Sequence, residues 1–404
     1  MRRHTQPGRP GRSRHVRHAA LAGTAVLALA LTACGGGSGK SAAELKADKT
    51  AKISVNLQGD NAKAGEPVKI TLADGKLSDV SVSDTKGGKL SGKISADGKT
   101  WTSERVTSPA TQYKVQVKDD QSRTAEQSFG TEKAAKVNKL NMYPGKGTTV
   151  GVAQPISLVF DNPVKNKADI EKHLKVTTSN STEGSWGWVE DYSGKDRIDW
   201  RPKEHWKSGT KVKLDADLNG INSGDGGGWF VRDYDTDFTI GKNQEFKVDL
   251  GTKQLSLVQD GKTVKTVPVA AGTPGGEKAS WSGKMVLMAK EGTINMTSQS
   301  VGLGDAYDKM VDDSMRLTWS GMYMHAAPWN NGNFGVKNNS SGCVGMSKSD
   351  ADSIYAQAQV GDPVEVTGPG SKGQAKLGNG YGEWNMTYAE WQAKSALHGQ
   401  QSGQ

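Results

Sequence analysis

Hydrophobic and polar positions alternate along most of this chain, and a period of two residues predicts strands. Between about Lys52 and Glu132 the runs are short. Ile53-Val55-Leu57, Val68-Ile70-Leu72 and Tyr113-Val115-Val117 each keep one face apolar, and turn signals at Asp74-Gly75, Lys86-Gly87-Gly88 and Asp97-Gly98 divide them. Strands at this spacing, with no helical stretch between them, predict a β-sandwich over residues 51–134. A second β-rich unit is expected over 135–241. It holds five of the eleven tryptophans, Trp186, Trp188, Trp200, Trp206 and Trp229. A sandwich core or a domain contact accounts for such large apolar surfaces at least as well as stacking on sugars does.

The texture changes at Gln244. Phe246-Val248-Leu250, Leu255-Leu257-Val258 and Val264-Val267-Val269 surround Asp260-Gly261, the pattern of a β-hairpin next to a further strand. Residues 272–284 read as a glycine-rich loop. Ser320 to Ala327 is expected to be a strand, with Tyr323 and His325 on the face opposite Met322 and Met324. Ser349 to Ala358 has the period of a helix, with Ser349 and Asp352 as its capping box and Gly361-Asp362-Pro363 as its stop. Pro363 to Val366 returns as a strand. Gly382 to Leu397 carries Trp384, Tyr388 and Trp391, enough apolar surface for a short helical tail folded back onto the domain before it. The fold class is therefore mainly β.

Charge adds a location rather than a partner. The net charge of +9 suggests nucleic acid until its distribution is inspected. Arg2, Arg3, Arg9, Arg12, Arg14 and Arg17 precede any acid, and without them 46 bases face 43 acids, an ordinary surface. No nucleic-acid partner is expected. Ala19 to Ala33 then runs apolar and small for fifteen residues, short of the ~20 a membrane span needs, and reads as the core of a signal peptide over 1–33. It ends on Leu31-Thr32-Ala33-Cys34, followed by Gly35-Gly36-Gly37-Ser38-Gly39. A small residue before cysteine, then a flexible tether over 34–50, resembles the bacterial lipobox. That implies cleavage before Cys34, a lipid on its sulfur, and anchoring to the outer face of the cytoplasmic membrane.

With Cys34 lipidated, Cys343 is the sole remaining thiol. A lone cysteine in an oxidising compartment invites a chemical role. It sits in Ser340-Ser341-Gly342-Cys343-Val344-Gly345-Met346, ten mostly polar loop residues after Tyr323-Met324-His325-Ala326-Ala327-Pro328-Trp329. A thiol attacks as its thiolate, and a nearby histidine can take the proton. Backbone N–H groups at Gly342 and Cys343 are candidate oxyanion donors.

Here the sequence resembles the L,D-transpeptidase (YkuD-like) family. Its motif is a histidine, a loop, then Ser/Thr-His-Gly-Cys-apolar-Asn/Arg. Seventeen residues separate His325 from Cys343, and Ser340, Gly342, Cys343 and Val344 match. So do the His-x-Ala-Pro-Trp context of His325 and the helix leading to Gly361-Asp362-Pro363-Val364. The resemblance implies two immunoglobulin-like β-sandwiches, a YkuD-type catalytic domain over 242–368 and a C-terminal subdomain over 369–404. It further implies an exported enzyme acting in the cell wall on peptidoglycan tetrapeptide stems, with Cys343 as nucleophile and His325 as base. Gly342 and Ser341 would serve through their backbone, Ala326 would orient His325, and Trp329, Ser340 and the lid tyrosine Tyr307 would bind substrate. No metal or organic cofactor is implied, and carbapenem β-lactams would be inhibitors. Two positions depart from the motif: Ser341 replaces its second histidine, and Gly345 its Asn or Arg. Both bear on donor preference more than on reaction class.

Other readings use the same residues. Cys343 and His325 could be a buried thiol and a satisfied strand histidine, or join Met322, Met324 and Met346 in a soft-metal site. The first is ill suited to the combined spacing, and the second fails if Met322 and Met324 point away. An L,D-carboxypeptidase would form the same thioester and resolve it with water. A wall-binding lipoprotein with a decayed site, or an adhesin built from the sandwiches, would have no reason to keep Cys343, His325 and Tyr307 at this spacing.

Overall fold

The computed structural model describes residues 49–299, 304 and 308–398; the targeting segment, Cys34 and Tyr307 lie outside the described residues. The first sandwich pairs two four-stranded sheets. One runs from edge to edge as Ile53–Val55, Pro67–Leu72, Thr100–Val106 and Gly92–Ile94, the other as Lys89–Leu90, Leu77–Asp84, Gln112–Asp119 and Thr124–Gly130. Every second residue of Gln112–Asp119 is buried, so Tyr113, Val115 and Val117 join Val68, Ile70, Trp101 and Phe129 in one core. The strict alternation sets the register, because a slip by one residue would turn the whole apolar set to water.

The second sandwich packs Thr148–Val150, Tyr234–Ile240, Lys211–Ala216 and Leu174–Thr178 against Gly184–Glu190, Asp196–Pro202, Ile156–Phe160 and Leu140–Tyr143. Trp186, Trp188, Trp200 and Trp206 lie in its core, which removes them from any sugar-stacking surface. Trp200 stacks on Trp206 with ring centroids 5.1 Å apart. Trp229 is half-buried and lies against Gly65 of the first sandwich, where even a Cβ would come within 2.6 Å of its ring. Arg105 adds a bidentate pair with Asp233 (2.7 and 2.5 Å) across the same junction.

The remaining strands form one nine-stranded sheet. Its order is Gly283–Val286, Pro363–Thr367, Gln244–Asp249, Gln254–Gln259, Lys262–Ala270, Val344–Met346, Tyr323–Ala326, Asp308–Arg316 and Ala289–Thr297. The anticipated hairpin turns at Asp260 and Gly261, both with positive φ (48° and 76°), as a two-residue turn between right-twisted strands requires. The mainly β class is therefore observed, with three short α-helices among the described residues.

Two expectations need correction. The long helix is Lys348–Gln357, capped by Ser347 rather than Ser349, with Ser347 Oγ accepting from the Asp350 N–H at 3.1 Å. Serines two apart, each followed three residues later by aspartate, offer two capping phases. The phase that buries Ala351 and Ile354 prevails. The tail folds back onto the catalytic domain only in part: Gly382–Asn385 packs on Gly283–Val286 as expected, but the rest docks elsewhere. Its helix, Tyr388–Gln392, packs on Gly184–Glu190 of the second sandwich, where Trp391 is fully buried and its Nε1 donates to the Ser185 carbonyl (2.9 Å). Gly187 creates the slot: a Cβ there would sit 2.6 Å from the Trp391 ring. Trp384 donates to the Ala153 carbonyl (2.8 Å), and Glu171 of the sandwich accepts from the Ala396 N–H (2.8 Å).

Candidate active site

Two adjacent parallel strands position the site. Met324 pairs with Val344, His325 with Gly345 and Ala326 with Met346. Side chains alternate across a sheet, so Met324, Ala326, Val344 and Met346 enter the core while Tyr323, His325, Cys343 and Gly345 share the other face. Met322 also joins the core, so neither methionine of that strand turns with His325.

His325 is buried. Its Nδ1 lies 2.7 Å from the Ala326 carbonyl oxygen, to which it donates, so that Nε2 is the nitrogen left to accept a proton. Burial lowers its pKa, and the carbonyl partly opposes the shift. Cys343 is half-buried, with Sγ 3.5 Å from the Gly321 carbonyl oxygen. Burial pushes its thiol up to about 11, against the weaker pull of the Tyr323 N–H and of the Arg316 charge, both of which favour the thiolate. Near neutral pH the lowered histidine and the raised cysteine each favour their uncharged form over a standing ion pair.

The cysteine turn is braced from three sides. Gly342 has φ +122°, a conformation that L side chains rarely adopt. Ser340 Oγ donates to the Cys343 carbonyl (2.5 Å) and accepts from the Gly342 N–H (3.2 Å). The Gly342 amide would thus share its proton in any oxyanion role, and the Ser340 hydroxyl is occupied with the backbone. Ser280, buried, accepts from the Gly272 N–H (2.9 Å) and donates to the Gly342 carbonyl (2.8 Å).

His325, Trp329, Ser340, Ser341, Cys343 and Gly345 line one cavity of about 290 Å³. Trp329 is 49% exposed and stacks over His325, with centroids 6.0 Å apart. A second hollow of about 710 Å³ opens on the other side of Ser341 and Gly342, bounded by Trp281, Gly321 and Met322 and by Asp191 and Tyr192 of the second sandwich. Ser341 borders both. Gly345 leaves the flank of His325 bare, and a Cβ there would meet the Ala327 Cβ at 2.9 Å.

Sequence reasoning missed the groups behind the cysteine. Arg316 donates twice to Glu291 (2.7 and 3.2 Å), Tyr323 Oη donates to the same carboxylate (3.0 Å), and the guanidinium lies 4.6 Å from the centre of the Tyr323 ring. In the sequence Glu291 stands in a polar run and Arg316 between Met315 and Leu317, and both look like solvated charges. Ser280 was equally silent, one small residue in a glycine-rich loop.

Comparison with known proteins gives the geometry a context. A bacterial Ig domain model matches residues 59–222, and an L,D-transpeptidase catalytic domain (YkuD) model matches 243–366. The chain is 30% identical to L,D-transpeptidase 2 of Mycobacterium tuberculosis, over 93% of this chain and 94% of that protein. It is 28% identical to L,D-transpeptidase 5 of the same organism, over 82% and 73%. Among solved structures, an L,D-transpeptidase from Mycobacterium smegmatis matches at 28% identity and a TM-score of 0.45, over 57% of this chain and 99% of that one.

Proposed function

The chain belongs to the L,D-transpeptidase family, and from that premise we propose that it makes 3→3 cross-links in peptidoglycan through a thioester on Cys343. The catalytic domain makes it a cysteine acyltransferase; donor, acceptor and residue roles are the proposal. Cys343 Sγ attacks the carbonyl carbon of the third-position diamino acid of a tetrapeptide stem. Its proton passes to His325 Nε2 and then to the amine of the departing D-alanine, giving a thioester. The side-chain amine of a neighbouring stem attacks that thioester, loses its proton through His325, and releases the thiol. The Cys343 N–H, with a shared contribution from Gly342, would steady the oxyanion.

One observation carries the reading. The strand register turns His325 and Cys343 to the same face of the sheet and into the same cavity, with His325 Nδ1 tied to the Ala326 carbonyl. The two hollows flanking Ser341 also suit a reaction between two peptides. Carbapenems would acylate the same sulfur. The lipobox reading adds a lipid on Cys34, holding the enzyme at the outer membrane face. Among the described residues no helix is long and apolar enough to cross a membrane. Membrane partition of Cys34→Ala checks the anchor, which fails if that variant stays with membranes.

The deciding experiment is mass spectrometry of products from purified disaccharide-tetrapeptide, with Cys343→Ala as control. Cross-linked dimers lacking one D-alanine, absent from the control, are expected. Tripeptide without dimers would make the enzyme a carboxypeptidase. No Cys343-dependent product would overturn both.

A further inference from the structure

The cavity that holds His325 and Cys343 is bordered by Ala270, Val311, Ala327, Met296 and Trp329, by neutral polar groups, and by Lys309. Among the described residues lining it, Lys309 carries the only full charge. It stands on the strand Asp308–Arg316, opposite Met296 of the neighbouring strand, in the hairpin that walls the cavity. Its ammonium lies 4.6 Å from the centre of the Trp329 ring, and that ring stacks on His325. No carboxylate pairs with Lys309 among the described residues. The Trp329 face holds a long, flexible side chain at the cavity mouth without neutralising it.

A stem peptide brings anions into this space. The residue it loses ends in a carboxylate, and its diamino acid can carry another on the side chain. Either would leave water for a pocket of methionine, valine, alanine and indole, which is unfavourable without a compensating cation. We propose that Lys309 binds a carboxylate of the donor stem and so selects donors whose carboxylate is free rather than amidated. This rests on the transpeptidase reading for the identity of the donor.

The test measures binding, so that it does not depend on turnover. Full-length Cys343→Ala protein is titrated with disaccharide-tetrapeptide, alone and with Lys309→Met or Lys309→Arg added. Lys309→Met is expected to weaken binding about five- to tenfold at low salt, Lys309→Arg to keep most of the affinity, and ~0.5 M salt to shrink the difference. Two further donors identify the anion, one with its terminal carboxylate amidated and one with the diamino-acid side-chain carboxylate amidated. The donor for which Lys309→Met no longer matters is the one whose recognised carboxylate has been removed. Equal affinity of Lys309→Met for every donor overturns the proposal, as does an equal loss that persists when both carboxylates are amidated. Lys309-dependent binding without any Cys343-dependent product in the turnover assay would instead remove the transpeptidase reading and leave the carboxylate site standing.

Discussion

Cys343 should react as a thiol that is hard to ionise. Its acidity is set by burial, which outweighs both the Tyr323 N–H and the Arg316 charge and pushes it up to about 11. At pH 7 roughly 10⁻⁴ of the sulfur would then be thiolate, and that fraction grows about tenfold per pH unit until the pKa is approached. Iodoacetamide is small and neutral, so its rate of reaction with Cys343 follows the thiolate fraction. Intact-mass measurement of alkylation between about pH 6 and 10 should give a log-linear rise of slope near one. Arg316→Met, which removes a charge favouring the thiolate, should displace the line toward lower rates. His325→Ala should leave the slope unchanged, because the resting imidazole is neutral. The same shift predicts a stability effect. The folded thiol titrates above the unfolded reference of 9.0, so its contribution is complete below about pH 9 and fades as pH rises toward 11. A rate that levels off near pH 7 would refute the reasoning, since it would require a preformed thiolate–imidazolium pair.

Three other outcomes follow from the packing. Ser280→Ala strands the Gly272 N–H and the Gly342 carbonyl, so urea unfolding should show a loss of about 1–3 kcal/mol and carbapenem acylation of Cys343 should slow roughly tenfold. Unchanged acylation would mean that Ser280 does not position the turn. Gly345→Ala forces a Cβ against that of Ala327 and should cost about 1–3 kcal/mol; the double variant with Ala327→Gly should recover most of it, and no recovery would point to another clash. Trp391→Ala should destabilise the second sandwich together with the catalytic domain by about 3–5 kcal/mol in denaturant, and a change under 1 kcal/mol would show that the tail only rests on the surface.

The parts of this molecule that were legible in the sequence are those where one face meets a core and the other meets water. Gln112–Asp119 announces itself by strict alternation, and the turn at Asp260-Gly261 by residues that accept positive φ. The strand of His325 could be oriented in advance because Met322 and Met324 needed the core. The hairpin Ala289–Thr297 with Asp308–Arg316 was not visible. Its residues are mostly polar, its register shifts between Lys290 and Gly292 and again between Gly292 and Ile294, and it lies at the edge of the sheet with little to bury. Lys309 went unnoticed with it. The destination of the tail was hidden for a different reason. Trp391 advertises that it must be covered, but the surface that covers it is defined by an absence, the missing side chain of Gly187, two hundred residues upstream. Glu291 and Arg316 show the same limit, since a charge pair that acts on the Cys343 thiol has the composition of a charge pair facing water.

The docked tail also changes the mechanics of the molecule. A domain joined to its neighbour by a single stretch of chain can swivel about that stretch. Here the catalytic domain leaves the second sandwich near Gly241 and returns to it through Trp384, Trp391 and Ala396, so it is moored at both ends. Two moorings oppose the rotation that one would allow. The opening above Cys343 is therefore tied to the second sandwich at two points rather than one. Motion between the first and second sandwiches, which meet at Arg105 and Trp229, is left untouched by this second attachment.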